Sequence, residues 1–493
     1  MKRTSKKRAN AANRQAKTQK KQAKLHKKHL KRQQRRANAR ATHRTITMKT
    51  SAKKGITARA GLVPVMKYLD DALHFREVAG EVVEFARGAN ATYPFVDTVQ
   101  LVILGIVGGA NSFLELVGVC ADIVFFKVEG WTTIPHNSVL GRIFRATRER
   151  HIPQLEALVH TLRPRAWTYA RRKNSALKLP QRTMWIDCDS TADMVYGHQE
   201  GAEKGYNTKK KGALSYHPLL ALCATTKEIL QGWFRCGSAY TSNGIVEFMK
   251  QLAAHLPPQL RLVFRGDSGF FVGILFDWLD ERGDGYLVKA KLYQNLKAFL
   301  LRQSWTPVKG HAGWEQCEFE YKCETWTKKR RFVAVRHARA HTPSRTPKPC
   351  VQAWLPGLEL PVPDLEQEYE VFCYVTTEPL TPWEAHTRYG QRATCETWIE
   401  EAKNQMGLGQ IRTSDFLANA ALFHCAVLAY NVLRWMALCP CDEMLRRSEP
   451  KTIRRYFVLV AGTVTTGARG VIVTTAPNQY QDVWESWLAI VGL

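Results

Sequence analysis

The chain has 493 residues, 45% of them hydrophobic, and a net charge of +29. That is enough apolar material for about two to four cores, which excludes a wholly disordered chain. The 12 cysteines include no C-x2-C pair, which argues against a zinc ribbon and suits reduced thiols in a cytosolic protein. The apolar stretches at 101–110 and 420–438 are too short, or too interrupted by His424, Asn431 and Arg434, to read as membrane spans.

The charge is lopsided. Residues 1–60 contain 22 Lys and Arg and no Asp or Glu, so the other 433 residues carry only +7. A segment this rich in Lys, Arg, Gln and Asn buries too little to offset its ordering entropy, and it is predicted to be a disordered polybasic arm. Its chemistry suits nonspecific nucleic-acid binding by counterion release. No apolar run follows the charges, so it does not read as a signal peptide.

Residues 61–170 read as a helical domain. Asp97 is predicted to cap one helix and Asn111 or Ser112 the next, while a helix from about Ser138 repeats arginine at 142, 145 and 148 on one face. From 171 to 291 the pattern changes to strand and helix. Strand runs are predicted at 183–189, 218–225, 228–236, 260–264 and 286–289, with helices at 243–255 and 272–281. Residues 292–380 contain a clear period of two in Cys317, Phe319, Tyr321 and Cys323, and are predicted to be an all-β insertion. A helix through Tyr389 to about Met406 and a buried helix at 416–438 complete a second part of the core at 381–440. Residues 441–493 form a C-terminal segment with a β-like run at 470–475 and an aromatic helix.

Three motifs carry chemistry. In Tyr389-x2-Arg392-x3-Glu396-x6-Lys403 the offsets of 0, 3, 7 and 14 project to roughly 0°, 300°, 340° and 320° on a helix, so one face presents a phenol, a guanidinium, a carboxylate and an ammonium. Asp187 and Asp189 end the run Trp185-Ile-Asp-Cys-Asp189-Ser-Thr191, and Asp267 follows Leu262-Val-Phe-Arg-Gly. An acid at the carboxyl edge of a strand in an open α/β sheet is placed where ligands bind. In-line displacement at phosphorus is served by two divalent ions held by hard oxygen ligands.

Taken in order, these motifs resemble the signatures of bacterial insertion-sequence transposases of the DDE class, in the insertion sequence 4 superfamily and nearest its insertion sequence 1380 group. The resemblance implies an α/β fold with a ribonuclease H-like mixed-sheet core, interrupted by the insertion and preceded by the helical domain. It implies DNA cleavage and strand transfer with two Mg2+ ions, or Mn2+ in their place, on Asp189, Asp267 and Glu396. Asp187 is the alternative first acid and Glu400 the alternative third. Tyr389, Arg392 and Lys403 would hold DNA phosphates, Arg by its planar fork and Lys as a point charge. The lysines of the glycine-rich loop, Lys209, Lys210 and Lys211, together with Lys289 and Lys291, would add DNA contacts. The cluster of Trp326 with Lys328, Lys329, Arg330 and Arg331 suggests a stacking site for an unpaired base. The expected partners are the element's terminal inverted repeats and target DNA, bound by a homodimer in the bacterial cytoplasm, on the nucleoid.

Overall fold

The computed structural model describes residues 20–35, 54–86, 91–205, 210, 212–339, 369–468 and 470–493. Residues 1–54 and Gly55–Leu493 are two separate units. Within the first, residues 20–35 form an exposed helix instead of the irregular chain expected there. Lys, Arg, Gln and Ala are all strong helix formers, and propensity alone suffices for this stretch without a buried face. The remainder of that expectation lies outside the described residues.

The second unit is built on a nine-stranded mixed sheet. Its strands, in chain order, are β1 (Thr183–Ser190), β2 (Leu219–Cys223), β3 (Ile229–Trp233), β4 (Arg261–Gly266), β5 (Gly285–Lys289), β6 (Thr306–Pro307), β7 (Trp314–Tyr321), β8 (Arg330–Ala338) and β9 (Tyr369–Thr376). Their spatial order is β6-β7-β8-β9-β5-β4-β1-β2-β3. β1, β4 and β5 run parallel and every other neighbouring pair is antiparallel. The β2–β3 hairpin turns through Thr226 and Lys227, whose φ of 63° is the left-handed value a tight reversal requires.

The segment 292–380 differs from expectation in two ways. It contains a helix, Gln294–Leu301, and its strands do not form a sheet of their own: β9 pairs with β5, so β6 to β9 extend the central sheet. Alternation in β7 marks a strand with one buried face, which is what Cys317 and Phe319 show, but it does not say which strand is the neighbour.

Helices cover the sheet. α1 (His151–Lys173) and the almost wholly buried α4 (Phe416–Leu438) pack together over β3. α4 is the one described helix long and apolar enough to cross a membrane, and 89% of that span is buried inside the protein. Its polar residues have internal uses. Asn431 exchanges two 2.8 Å hydrogen bonds with the backbone of Ile229, and Arg434 donates to Glu401 and to the Ser448 carbonyl. The buried Glu228 carboxylate accepts from Trp167 and Arg163 of α1 and from Trp435 of α4, fastening the helical segment to the hairpin. A buried carboxylate with this many donors is compensated, whereas removing one donor would leave part of its charge exposed to a low-dielectric interior.

Among the predicted caps, Ser112 accepts from the Glu115 N–H as expected. Asp97 does not cap its helix, Phe95–Val107; it lies in the first turn and pairs with Arg76 at 3.0 Å. The helix Asn137–Arg145 carries Arg142 and Arg145 but ends before Arg148. A small antiparallel sheet joins Ile56–Thr57 to the C-terminal hairpin Gly462–Gly467 and Gly470–Thr475.

Candidate active site

The register of the central strands decides where the first two acids stand. Asp187 of β1 lies beside Arg265 of β4 in the last pair of the parallel register; Asp189 is two residues further along β1 and Asp267 is the first residue past β4. Adjacent strands are about 4.8 Å apart, so the two carboxylates leave the carboxyl edge of the sheet as near neighbours. Asp267 ends β4 by capping the short turn Ser268–Phe270, its Oδ1 accepting from Gly269 N at 2.9 Å. Asp187 and Asp189 share a side of β1 but not an environment. Asp187 is fully buried and held by the Arg265 guanidinium through both oxygens, the second at 2.8 Å, so it is committed to an internal ion pair.

The third acid lies in a segment whose pattern predicts one continuous helix through Tyr389 to about Met406. Instead, α2 (Pro382–Gly390) starts at a Thr381–Glu384 capping box and stops at Gly390. α3 (Ala393–Gln405) begins two residues beyond Arg392's neighbour Gln391, with Arg392 N donating to Tyr389 O at 2.8 Å across the break. Glycine at the junction weakens the helix where the chain turns. Tyr389 therefore sits on α2, Arg392 at the joint, and Glu396 and Lys403 on α3.

The four signature side chains do not share one solvent-facing stripe. Arg392 is only 4% exposed. Its Nη2 lies 3.0 Å from Asp189 Oδ2 and 3.3 Å from the Cys188 carbonyl, and its Nη1 lies 3.3 Å from Glu396 Oε1. Lys403 turns back onto the loop after β1, with Nζ 2.8 Å from Asp193 Oδ1, 2.7 Å from Thr191 Oγ1 and 3.0 Å from the Ala192 carbonyl. Tyr389 packs against Tyr374 with ring centroids 4.7 Å apart and the rings tilted by 42°. Glu396 remains largely open to solvent, and Glu400, also exposed, accepts from Asn404.

The electrostatics are those of gathered carboxylates. Burial, with Asp267 and Glu396 nearby, pushes Asp189 up to about 6 against the pull of Arg392 and the Ser190 N–H. Burial and the same three acids push the Tyr389 phenol up to about 12. Burial works against the charge of Arg392, but Asp189, Tyr389 and Asp267 outweigh it and hold its guanidinium above the ordinary range. Among the described residues no group of three or more His, Cys, Asp or Glu side chains is arranged so that it could hold a metal ion as it stands. Carboxylates are the hard-oxygen donors that Mg2+ or Mn2+ takes, and the cationic Arg392 lodged between Asp189 and Glu396 marks a place where positive charge is favoured. The donor chemistry fits.

Of the expected basic contacts, Lys209 and Lys211 lie outside the described residues. Lys210 is exposed, its ammonium 5.9 Å from the Tyr196 ring. Lys289 ends β5 half-buried, and Lys291 is exposed beside Tyr293. The stacking site around Trp326 is not available: Trp326 is buried against Phe271, Phe276 and Phe332. Arg330 pairs with Asp277 and Asp280, Lys328 with Asp280, and Arg331 with Glu318. Each of those cations has an acid on another element, about fifty residues upstream for Arg330 and Lys328, which spacing along the chain does not reveal.

Two further features were not read from the sequence. Asp193, four residues past Asp189, is the buried partner of Lys403. The loop before the helix Ile245–Ala254 reaches the first acid's strand, with Thr241 Oγ1 2.9 Å from Ser190 Oγ, and Arg235 ties that loop down through the carbonyls of Tyr240, Thr241 and Asn243. Tyr240, beside Thr241, is 43% exposed. The only signal for this loop was its Gly-Ser-Ala-Tyr-Thr-Ser composition, which marks a turn and nothing more.

Asp189 thus comes from β1, Asp267 from just past β4 and Glu396 from α3. Residues 38–490 match the family described as Transposase DDE domain group 1, and the chain belongs to that family. It is a DDE transposase in class. No curated protein matches the sequence. Among solved structures the chain is similar to piggyBac transposase in a synaptic complex with hairpin DNA, at 12% identity and a TM-score of 0.39 over 82% of each chain.

Proposed function

We propose that the protein is the transposase of a bacterial insertion sequence, of the insertion sequence 4 superfamily and its 1380 group, which cleaves the element's ends and joins them to target DNA. What supports this is that Asp189 and Glu396 share the Arg392 guanidinium and that Asp189 feels the charge of Asp267, in a chain of the DDE transposase family. β1 to β5, with β1, β4 and β5 parallel at the centre, support a ribonuclease H-like core.

On this reading Asp189, Asp267 and Glu396 hold two Mg2+ ions, for which Mn2+ can substitute. Bound there, the ions would activate the attacking oxygen and stabilise the leaving one. Arg392 and Lys403 fix the relation of α3 to the end of β1, which sets the third acid against the first. Tyr389, Lys289, Lys291, Lys209, Lys210 and Lys211 serve on this reading as DNA-binding groups. The basic arm adds nonspecific attraction for DNA. The working assembly is a homodimer on paired terminal repeats in the cytoplasm.

The test is incubation with labelled element ends, a target plasmid and Mg2+. Joined product is expected from the wild-type chain, and Asp189→Asn, Asp267→Asn and Glu396→Gln should each abolish cleavage and joining while still binding ends. Cleavage without joining would make the protein a nuclease. Binding with no metal-dependent product would make it a noncatalytic relative.

A further inference from the structure

A phosphate clamp presents its fork to solvent, whereas the guanidinium of Arg392 is turned into the protein. One nitrogen serves Asp189 Oδ2 and the Cys188 carbonyl, and the other serves Glu396 Oε1. The two carboxylates come from different elements, β1 and α3, and this side chain is what joins them. The two halves of the grip differ in strength. Asp189 is 17% exposed and 3.0 Å away, while Glu396 is 64% exposed and 3.3 Å away. Exposed ion pairs are weak and screened, so Glu396 is the partner that can be released. Acids gathered this closely repel one another unless a cation lies among them.

We propose that Arg392 is the internal counter-ion of the acid cluster in the DNA-free protein, a positioning residue that bridges Asp189 and Glu396 and competes with divalent cations for their oxygens. It rests on the reading of those acids as metal-binding. The consequence is a low metal affinity before DNA arrives: a cation entering the site must first take Glu396 from the guanidinium. A lysine at this position would keep the charge but has a single nitrogen and cannot fork between two elements in the same way.

The experiment is Mn2+ binding to the full-length, DNA-free protein, followed by electron paramagnetic resonance and accompanied by thermal unfolding. Arg392→Gln should bind Mn2+ about tenfold tighter or more, the size of effect one adjacent charge has on a carboxylate's affinity for a proton. A purely structural role predicts the opposite, since loosening α3 would scatter the ligands. Mn2+ affinity equal to or below wild type in a folded Arg392→Gln protein overturns the proposal. If that variant does not fold, Arg392→Lys decides: affinity above wild type supports the competition, and affinity at or below it refutes it. Asp189→Asn separates the two levels of the argument. Loss of Mn2+ binding in that variant supports the site, whereas unchanged binding overturns the metal reading of the acids and the inference with it.

Discussion

Lys403 tests most directly whether the signature helix faces inward or toward DNA. Its ammonium makes three contacts with the loop after β1, and the pair with Asp193 is close to dry: 13% of the lysine side chain and 1% of the aspartate reach solvent. Breaking a buried pair by removing one partner costs ~3–5 kcal/mol. The partial exposure of Lys403 places Lys403→Met near the lower end, at about 3 kcal/mol, read by urea unfolding of the DNA-free protein. Adding Asp193→Asn should restore most of that loss, because the second change removes the charge the first one stranded. Lys403→Arg should also destabilise, by about 1–3 kcal/mol, since the larger head has to enter a packed site. A side-chain carbon at Gly409 would already meet Lys403 Cε at 3.4 Å and Asp193 Oδ1 at 3.3 Å. The reasoning is refuted if Lys403→Met unfolds within about 0.5 kcal/mol of wild type while the slope of log affinity for DNA against log salt falls by about 0.9, the mark of one lost phosphate contact.

Asp187→Asn should weaken folding through its buried pair with Arg265 yet leave Mn2+ binding intact, and loss of Mn2+ binding in a folded variant would restore Asp187 as a ligand. Asp189 titrates near 6, above its ordinary value, so the neutral form is the one the fold favours. Its contribution to stability is complete below about pH 4 and is lost as pH rises through about 6. The melting temperature of metal-free Asp189→Asn relative to wild type should therefore rise between pH 4 and 7, and a flat or falling difference would contradict the raised value. Deleting residues 1–54 should reduce nonspecific DNA affinity and flatten its salt dependence by about 0.9 per phosphate contact removed, with an unchanged slope arguing that the arm does not touch DNA.

Periodicity and turn chemistry made much of the sheet legible. Thr226-Lys227 between two apolar runs marked a hairpin, and the alternation of Cys317 and Phe319 marked β7. The acids could be picked out because strand ends and motif order depend on local sequence, and the parallel pairing of β1 with β4 puts the ends of both strands on the same side of the sheet. What stayed hidden depends on partners distant in sequence. A helical projection puts Arg392, Glu396 and Lys403 on one side, but it cannot say whether that side meets solvent or the end of β1. The acids that neutralise Arg330 and Lys328 lie on the helix Gly273–Glu281, about fifty residues upstream. β9 gave no sign that it would join β5, because a half-buried strand carries the same alternation whichever neighbour it has. The break at Gly390 was visible as a glycine, yet isolated glycines are also tolerated within helices.

The small sheet that ties Ile56–Thr57 to Gly462–Gly467 sets a timetable for biosynthesis. Its first strand leaves the ribosome roughly 400 residues before its partner, a wait of about 20–80 s at ~5–20 residues per second. Tyr169 likewise waits 321 residues for Ile490, whose carbonyl accepts from its hydroxyl. Over that interval the apolar helix Phe95–Val107 has no α4 to pack against, and such exposed surface is what chaperones recognise. Yield of folded protein should accordingly respond to translation speed and chaperone supply, and shortening the chain at its C-terminal end should damage its beginning.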